Sequence, residues 1–194
     1  MVVSCQPRLV LKTRSVHWTL RDGEKSLKAN ILQAHLDVAV RYADLSKARR
    51  LKVGAVVVKD DRIISIGYNG TPPGWDNNCE KLDWMPRDTG GWLNPNELRQ
   101  LFPLTGEHPE LGQWPYRLIT KPEVIHAEEN AIAKLARSHE SGEDASMFIT
   151  HAPCAQCAKL ILMSGIKNVY YRNVYRDDAG IKFLQQGGVN IEKI

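Results

Sequence analysis

Two short stretches constrain this chain more than anything else in it: His126-Ala127-Glu128 and Pro153-Cys154-Ala155-Gln156-Cys157. One imidazole and two thiols are borderline-to-soft donors, a set that suits Zn²⁺ and leaves a fourth tetrahedral position open for water. Any fold that carries them must bring two distant segments to one point. Three protein ligands with an open position is the arrangement of a catalytic ion. A structural site needs a fourth Cys or His nearby, and the other cysteines, Cys5 and Cys79, show no such pairing. His151 lies close to Pro153, but a second imidazole would close the open position, so it is not counted as a ligand. Glu128 is not needed to bind metal and is placed to carry protons. An isolated H-x-E also occurs on plain helix surfaces, and an isolated C-x-x-C also serves redox pairs; a redox pair leaves His126 and Glu128 unexplained.

Both motifs read as helix N-termini, where unpaired N–H groups and a partial positive charge favour thiolate over thiol. Pro153 fits a sharp strand-to-helix turn because it needs no N–H there. The three-residue spacing of Cys154 and Cys157 puts both sulfurs on one side of a turn.

At 194 residues the chain can bury a core as one domain, and its 43% hydrophobic and 25% charged content is that of an ordinary globular protein. A net charge of +4 agrees with a small anionic substrate and is too weak to indicate a nucleic-acid groove. Four Cys, two of them assigned to metal, leave no disulfide framework. No apolar run is long enough to span a bilayer, and the first residues lack a leader's apolar core and cleavage site, so a cytoplasmic location is expected.

Residues 1–24 read as an arm that packs on a partner or as a loosely ordered terminus; the domain proper is expected over 25–194. Leu27, Ile31, Ala34, Val38, Tyr42 and Leu45 recur at helical spacing from Ser26, a candidate N-cap, to about Lys47. Val53–Val58 and Ile63–Tyr68 read as a hairpin about a polar turn at Lys59–Arg62. Residues 75–121, rich in Trp, Pro and Gly, read as a long insertion with one helical turn at Glu97–Phe102. It is expected to be a lid, a subunit contact or a self-packed surface loop. Helix is expected over His126–His139, strand over Ala145–Thr150, helix over Cys154–Ser164, strand over Lys167–Tyr171, helix over Asp177–Gln186 and strand over Val189–Glu192. That order gives an α/β domain with a mixed sheet.

H-x-E followed by P-C-x-x-C is the known signature of zinc nucleobase deaminases. Four blocks extend the likeness: Arg49-Arg50-Leu51-Lys52-Val53-Gly54-Ala55-Val56, Arg62 through Pro72 with its Gly67-Tyr68-Asn69-Gly70, His126 through Ile132, and Pro153 through Lys159. The tail from Ser164 to Asp178 agrees. The chain resembles the deoxycytidylate (dCMP) deaminases of bacteria and tailed phages, in the cytidine deaminase superfamily. The resemblance implies a three-layer α/β/α fold and hydrolysis of dCMP to dUMP and ammonia, feeding thymidylate synthesis. One Zn²⁺ would sit on His126, Cys154 and Cys157, with Glu128 shuttling protons. It further implies Asn69 on the substrate sugar, the Ala127 N–H and Pro153 beside the pyrimidine, Arg49 and Arg50 near the 5′-phosphate, and Tyr175 closing over the nucleotide. Family members are commonly homohexamers activated by dCTP with Mg²⁺ and inhibited by dTTP. Gly67, Tyr68, Gly70 and Arg137 match residues tied to that regulation.

Read alone, Arg49 and Arg50 are a solvated basic pair, Asn69 an ordinary turn residue and Tyr175 a packing residue. Several relatives hold a second, structural zinc through a Cys before the arginine pair and another after the Gly67–Gly70 loop; here the first position is Ala48 and only Cys79 remains. The insertion is expected to supply packing in its place. Three rivals stay open: dCTP as substrate, a polynucleotide base deaminase, and a non-catalytic zinc subunit. Asp76, Glu80, Asp83 and Asp88 around the tryptophans are expected to repel a phosphate backbone, and an intact Glu128 argues against a subunit without activity.

Overall fold

The computed structural model describes residues 22–91 and 93–194. A five-stranded sheet forms the frame: β1 (Gly54–Lys59), β2 (Arg62–Tyr68), β6 (Ser146–His151), β7 (Asn168–Asn173) and β8 (Asn190–Lys193). Its order is β2-β1-β6-β7-β8; β1 is antiparallel to both neighbours, and β6, β7 and β8 run parallel. The sheet is therefore mixed, as expected. Asp60 and Asp61, at φ 50° and 58°, make the tight turn of the first hairpin, a left-handed pair that matches the strand twist.

The strands alternate with period two, which decides what lies on each face. Val56, Val58, Phe148 and Tyr170 point to one side, against Leu36 and Ala39 of α1 (Asp22–Ala43). Ala55, Val57, Met147, Ile149 and Val169 point to the other, against α3 (Ala127–Leu135), α4 (Ala155–Met163) and α5 (Ala179–Gln186). The result is the three-layer α/β/α arrangement.

Two glycines let helices touch the sheet's backbone. A Cβ on Gly54 would lie 2.0 Å from the Ala39 carbonyl oxygen of α1, and one on Gly67 would lie 2.0 Å from that of Ala127 in α3. Gly67 thus sets how close α3, which opens at His126, comes to β2.

Three expectations need correction. Helix α1 is described from Asp22, so Ser26 lies inside it and is not a cap, and it ends at Ala43, short of Lys47. Beyond it Ser46 is buried; its hydroxyl accepts the Ala48 N–H and donates to the Asn69 carbonyl, turning the chain toward β1. Helix α3 stops at Leu135, where Ser138 caps the Leu135 carbonyl through its hydroxyl. The expected arm at 1–24 lies outside the described residues apart from Asp22–Glu24, which begin α1.

The largest departure is in residues 75–121. Rather than a loop, they form a second, three-stranded antiparallel sheet of order β3-β5-β4, from β3 (Glu80–Trp84), β4 (Leu104–His108) and β5 (Gly112–Thr120), with a 3₁₀ turn at Arg87–Gly91 and α2 (Pro95–Leu101). Pro115 lies in its central strand, a position proline rarely holds. It is tolerated because β3 ends opposite it: Met85 N donates to the Pro115 carbonyl, and the Met85 carbonyl takes the Trp114 indole N–H at 2.8 Å instead. Asn94 caps α2 through the N–H groups of Asn96 and Glu97, and Glu97 returns the bond to Asn94.

Candidate active site

The centre forms where two helices begin. Strand β6 ends at His151, the Ala152 N–H bonds the Asn173 carbonyl, and the fully buried Pro153 turns the chain so that Cys154 becomes the N-cap of α4. Gly180 lies against the Pro153 carbonyl, where a Cβ would be 2.0 Å from the oxygen. His126 is the N-cap of α3, and Glu129 fixes it by accepting its backbone N–H at 2.9 Å.

The His126 Nδ1 lies 3.6 Å from the Cys154 Sγ and 3.3 Å from the Cys157 Sγ. Tetrahedral zinc, at ordinary Zn–S and Zn–N lengths, would separate a sulfur and a nitrogen ligand by about 3.6 Å. The donors therefore fit zinc in type and spacing. Among the described residues they form the one His/Cys/Asp/Glu group close enough to share an ion. The trio is polarised. Cys154 is held low, to about 3, by hydrogen bonds from the Cys157 thiol and the His126 ring. Cys157 is pushed up by that same bond and by burial, and His126 rises to about 9 as it donates to Cys154. Glu128, 4% exposed, is pushed up to about 7 chiefly by burial. A carboxyl poised near neutrality both takes and returns protons.

A cavity of about 400 Å³ opens onto the centre. Glu128, His126, Cys154 and Ala127 line it, and so do Arg50, Asn69 and Tyr175. Arg49 and Pro153 are outside the lining: Arg49 turns to Asn78 and Glu80, and Pro153 supports the turn from behind. Asn69 clasps the chain, accepting the Val53 N–H at 2.8 Å and donating to the Leu51 carbonyl at 2.9 Å. Among the described residues, one amide hydrogen and one lone pair have no partner. Tyr68 and Gly70 face a second cavity of about 370 Å³, which Asn69 also borders. Gly67 is packed on α3, and Arg137 is exposed and lines neither cavity.

Sequence reasoning missed four residues. Arg176 lines the cavity, its guanidinium 5.3 Å from the Tyr175 ring centre. Glu80 and Thr120, from the second sheet, line it as well. Glu129 carried a legible signal, since Glu three residues after an N-cap is the capping-box pattern; the other three meet the site only through tertiary pairing.

The sequence from residue 29 to 173 matches the family described as the cytidine and deoxycytidylate deaminase zinc-binding region. The chain belongs to that family. Among its deaminases, the deoxycytidylate deaminase of Enterobacteria phage T4 is 37% identical over 157 residues, 72% of this chain and 76% of that one. The ComE operon protein 2 of Bacillus subtilis is 31% identical over 167 residues, 84% of this chain and 67% of that one. The dCMP deaminase of cyanophage S-TIM5, solved with dCMP and dUMP, has a TM-score of 0.63 and 35% identity, covering 91% of this chain and 100% of that one. Membership in the deaminase family agrees with the three-layer fold and with a zinc centre on His126, Cys154 and Cys157. The second metal of some relatives has no counterpart among the described residues: Cys79 is 1% exposed and packs with Ala48 and Val124 in a small apolar cluster.

Proposed function

We propose that the chain hydrolyses dCMP to dUMP and ammonia. The observation that carries this is a buried Glu128, beside three zinc-suited donors, lining a cavity that Arg50 and Arg176 also line. Zinc bound by His126, Cys154 and Cys157 supplies the Lewis acidity that makes hydroxide available at neutral pH. Glu128 takes the proton of the attacking water and passes it to the ring nitrogen; it then carries the proton of the newly added hydroxyl to the amine, which leaves as ammonia while the ring carbonyl forms. The Ala127 N–H, at the first helical position of α3, suits the pyrimidine carbonyl, and the amide of Asn69 suits the sugar. Arg50 and Arg176 supply charge for the 5′-phosphate, and Tyr175 offers a face for the nucleotide.

For regulation, the second cavity bordered by Tyr68, Gly70 and Lys134 is our candidate for a dCTP–Mg²⁺ or dTTP site, with Asn69 between the two cavities. Assembly as a homohexamer and a cytoplasmic location belong to the same proposal; no described helix is long and apolar enough to cross a membrane.

The test is ammonia release from dCMP, dCTP, CMP, cytidine and single-stranded DNA, with and without dCTP or dTTP and Mg²⁺. dCMP is expected to turn over fastest, with dCTP raising and dTTP lowering the rate. Faster turnover of dCTP or of DNA would select the corresponding rival.

A further inference from the structure

The second sheet meets the substrate cavity at one point, and that point is built around a buried acid. Glu80 opens β3 and is 2% exposed. Its Oε1 accepts the backbone N–H groups of both Arg49 and Arg50, at 3.0 and 3.1 Å. Its Oε2 is, among the described residues, the one buried side-chain oxygen or nitrogen without a hydrogen bond; it lies 3.5 Å from the Arg49 Nε. Thr120, the residue opposite Glu80 in the β3–β5 pairing, accepts from the Arg50 guanidinium at 3.0 Å.

Binding two N–H groups needs only one neutral carbonyl oxygen, which a glutamine would provide. A buried acid with an incompletely satisfied second oxygen is costly and calls for another reason. The two arginines differ in how their charge is used. Arg49 sits against the Glu80 carboxylate, while Arg50 is anchored by a neutral hydroxyl and, among the described residues, pairs with no carboxylate. Arg50, and not Arg49, lines the cavity.

We propose that Glu80 is a positioning residue: with Thr120 across the sheet, it fixes the Arg49–Arg50 segment so that Arg50 presents an uncompensated charge to the anionic group of the substrate. The insertion is then a fixed wall of the cavity that sets phosphate recognition, not a lid. This inference rests on the reading of Arg50 as a phosphate ligand.

The experiment measures kcat and KM on dCMP and on deoxycytidine for the zinc-loaded wild type, Glu80→Gln, Arg50→Ala and the double variant, with zinc content determined for each. For Glu80→Gln, the ratio of kcat/KM for dCMP to that for deoxycytidine is expected to fall about ten-fold, through KM for dCMP, with zinc retained. In the Arg50→Ala background Glu80→Gln should produce no further fall, because the two act as one unit. A ratio within about two-fold of wild type, equal losses on both substrates, or additive losses in the double variant would overturn the inference. Should Glu80→Gln fail to fold, Thr120→Val carries the test: a fall in the same ratio supports the inference, and an unmoved ratio defeats it. A wild type that does not prefer dCMP to deoxycytidine defeats the phosphate reading itself.

Discussion

Asn69 shows how one residue can serve both framework and site. Its amide closes the Leu51–Val53 segment onto the loop after β2, and the residue also lines the cavity. Asn69→Ala is expected to cost about 1–3 kcal/mol in a denaturant or thermal melt, since it strands the Val53 N–H and the Leu51 carbonyl, and to raise KM for dCMP. Cys157→Ser should leave zinc well below one equivalent per chain by metal analysis, because a hydroxyl does not replace a buried thiolate donor. The ligands were legible in the sequence because metal chemistry is a property of residue type and close spacing. Arg176, Glu80 and Thr120 were not, because nothing local distinguishes a cavity arginine or a buried acid from solvent-facing ones. The acids of the insertion illustrate this. They read as a repelling field, yet Glu80 is buried against Arg49, Asp83 pairs with Arg117 at 2.6 Å, and Asp76 lies 3.6 Å from Lys121. The charge of these three is paired within the chain.

At the scale of elements, the contact between β2 and α3 governs the centre. Gly67→Ala would drive a methyl into the Ala127 backbone and push away the helix that starts at His126. Gly54→Ala would crowd α1 just as tightly, on the opposite face of the sheet. Both should lose stability by about 1–3 kcal/mol or more. Only Gly67→Ala should also weaken zinc binding, which a chelator competition on the two variants would read; equal zinc affinities would contradict this division. The main strands and helices follow from period-two and helical spacing, as does the hairpin turn at Asp60-Asp61. The second sheet does not. β3 and β4 are short, β3 and β5 pair across more than the intervening helix and β4, and Pro115 argues locally against a central strand. Only the Trp114 indole and the ending of β3 make that placement satisfied.

The described residues form one sheet with helices on both faces and a second sheet that contributes Glu80 and Thr120 to the lining of its cavity. Zinc bound to the native state alone stabilises it by mass action, so removing the ion should lower the melting temperature and restoring it should reverse the change. The expected stoichiometry is one zinc per chain, since the position beside Cys79 is filled by Ala48 and Val124. A second tightly held equivalent would contradict that reading of the apolar cluster. The account as a whole depends on the centre formed by His126, Cys154 and Cys157 with Glu128 beside it. Its most direct test is ammonia release from dCMP by Glu128→Gln, measured together with its zinc content. The account predicts wild-type zinc with turnover reduced about 10²–10⁴-fold or more; brisk turnover by a variant that retains its zinc would contradict it.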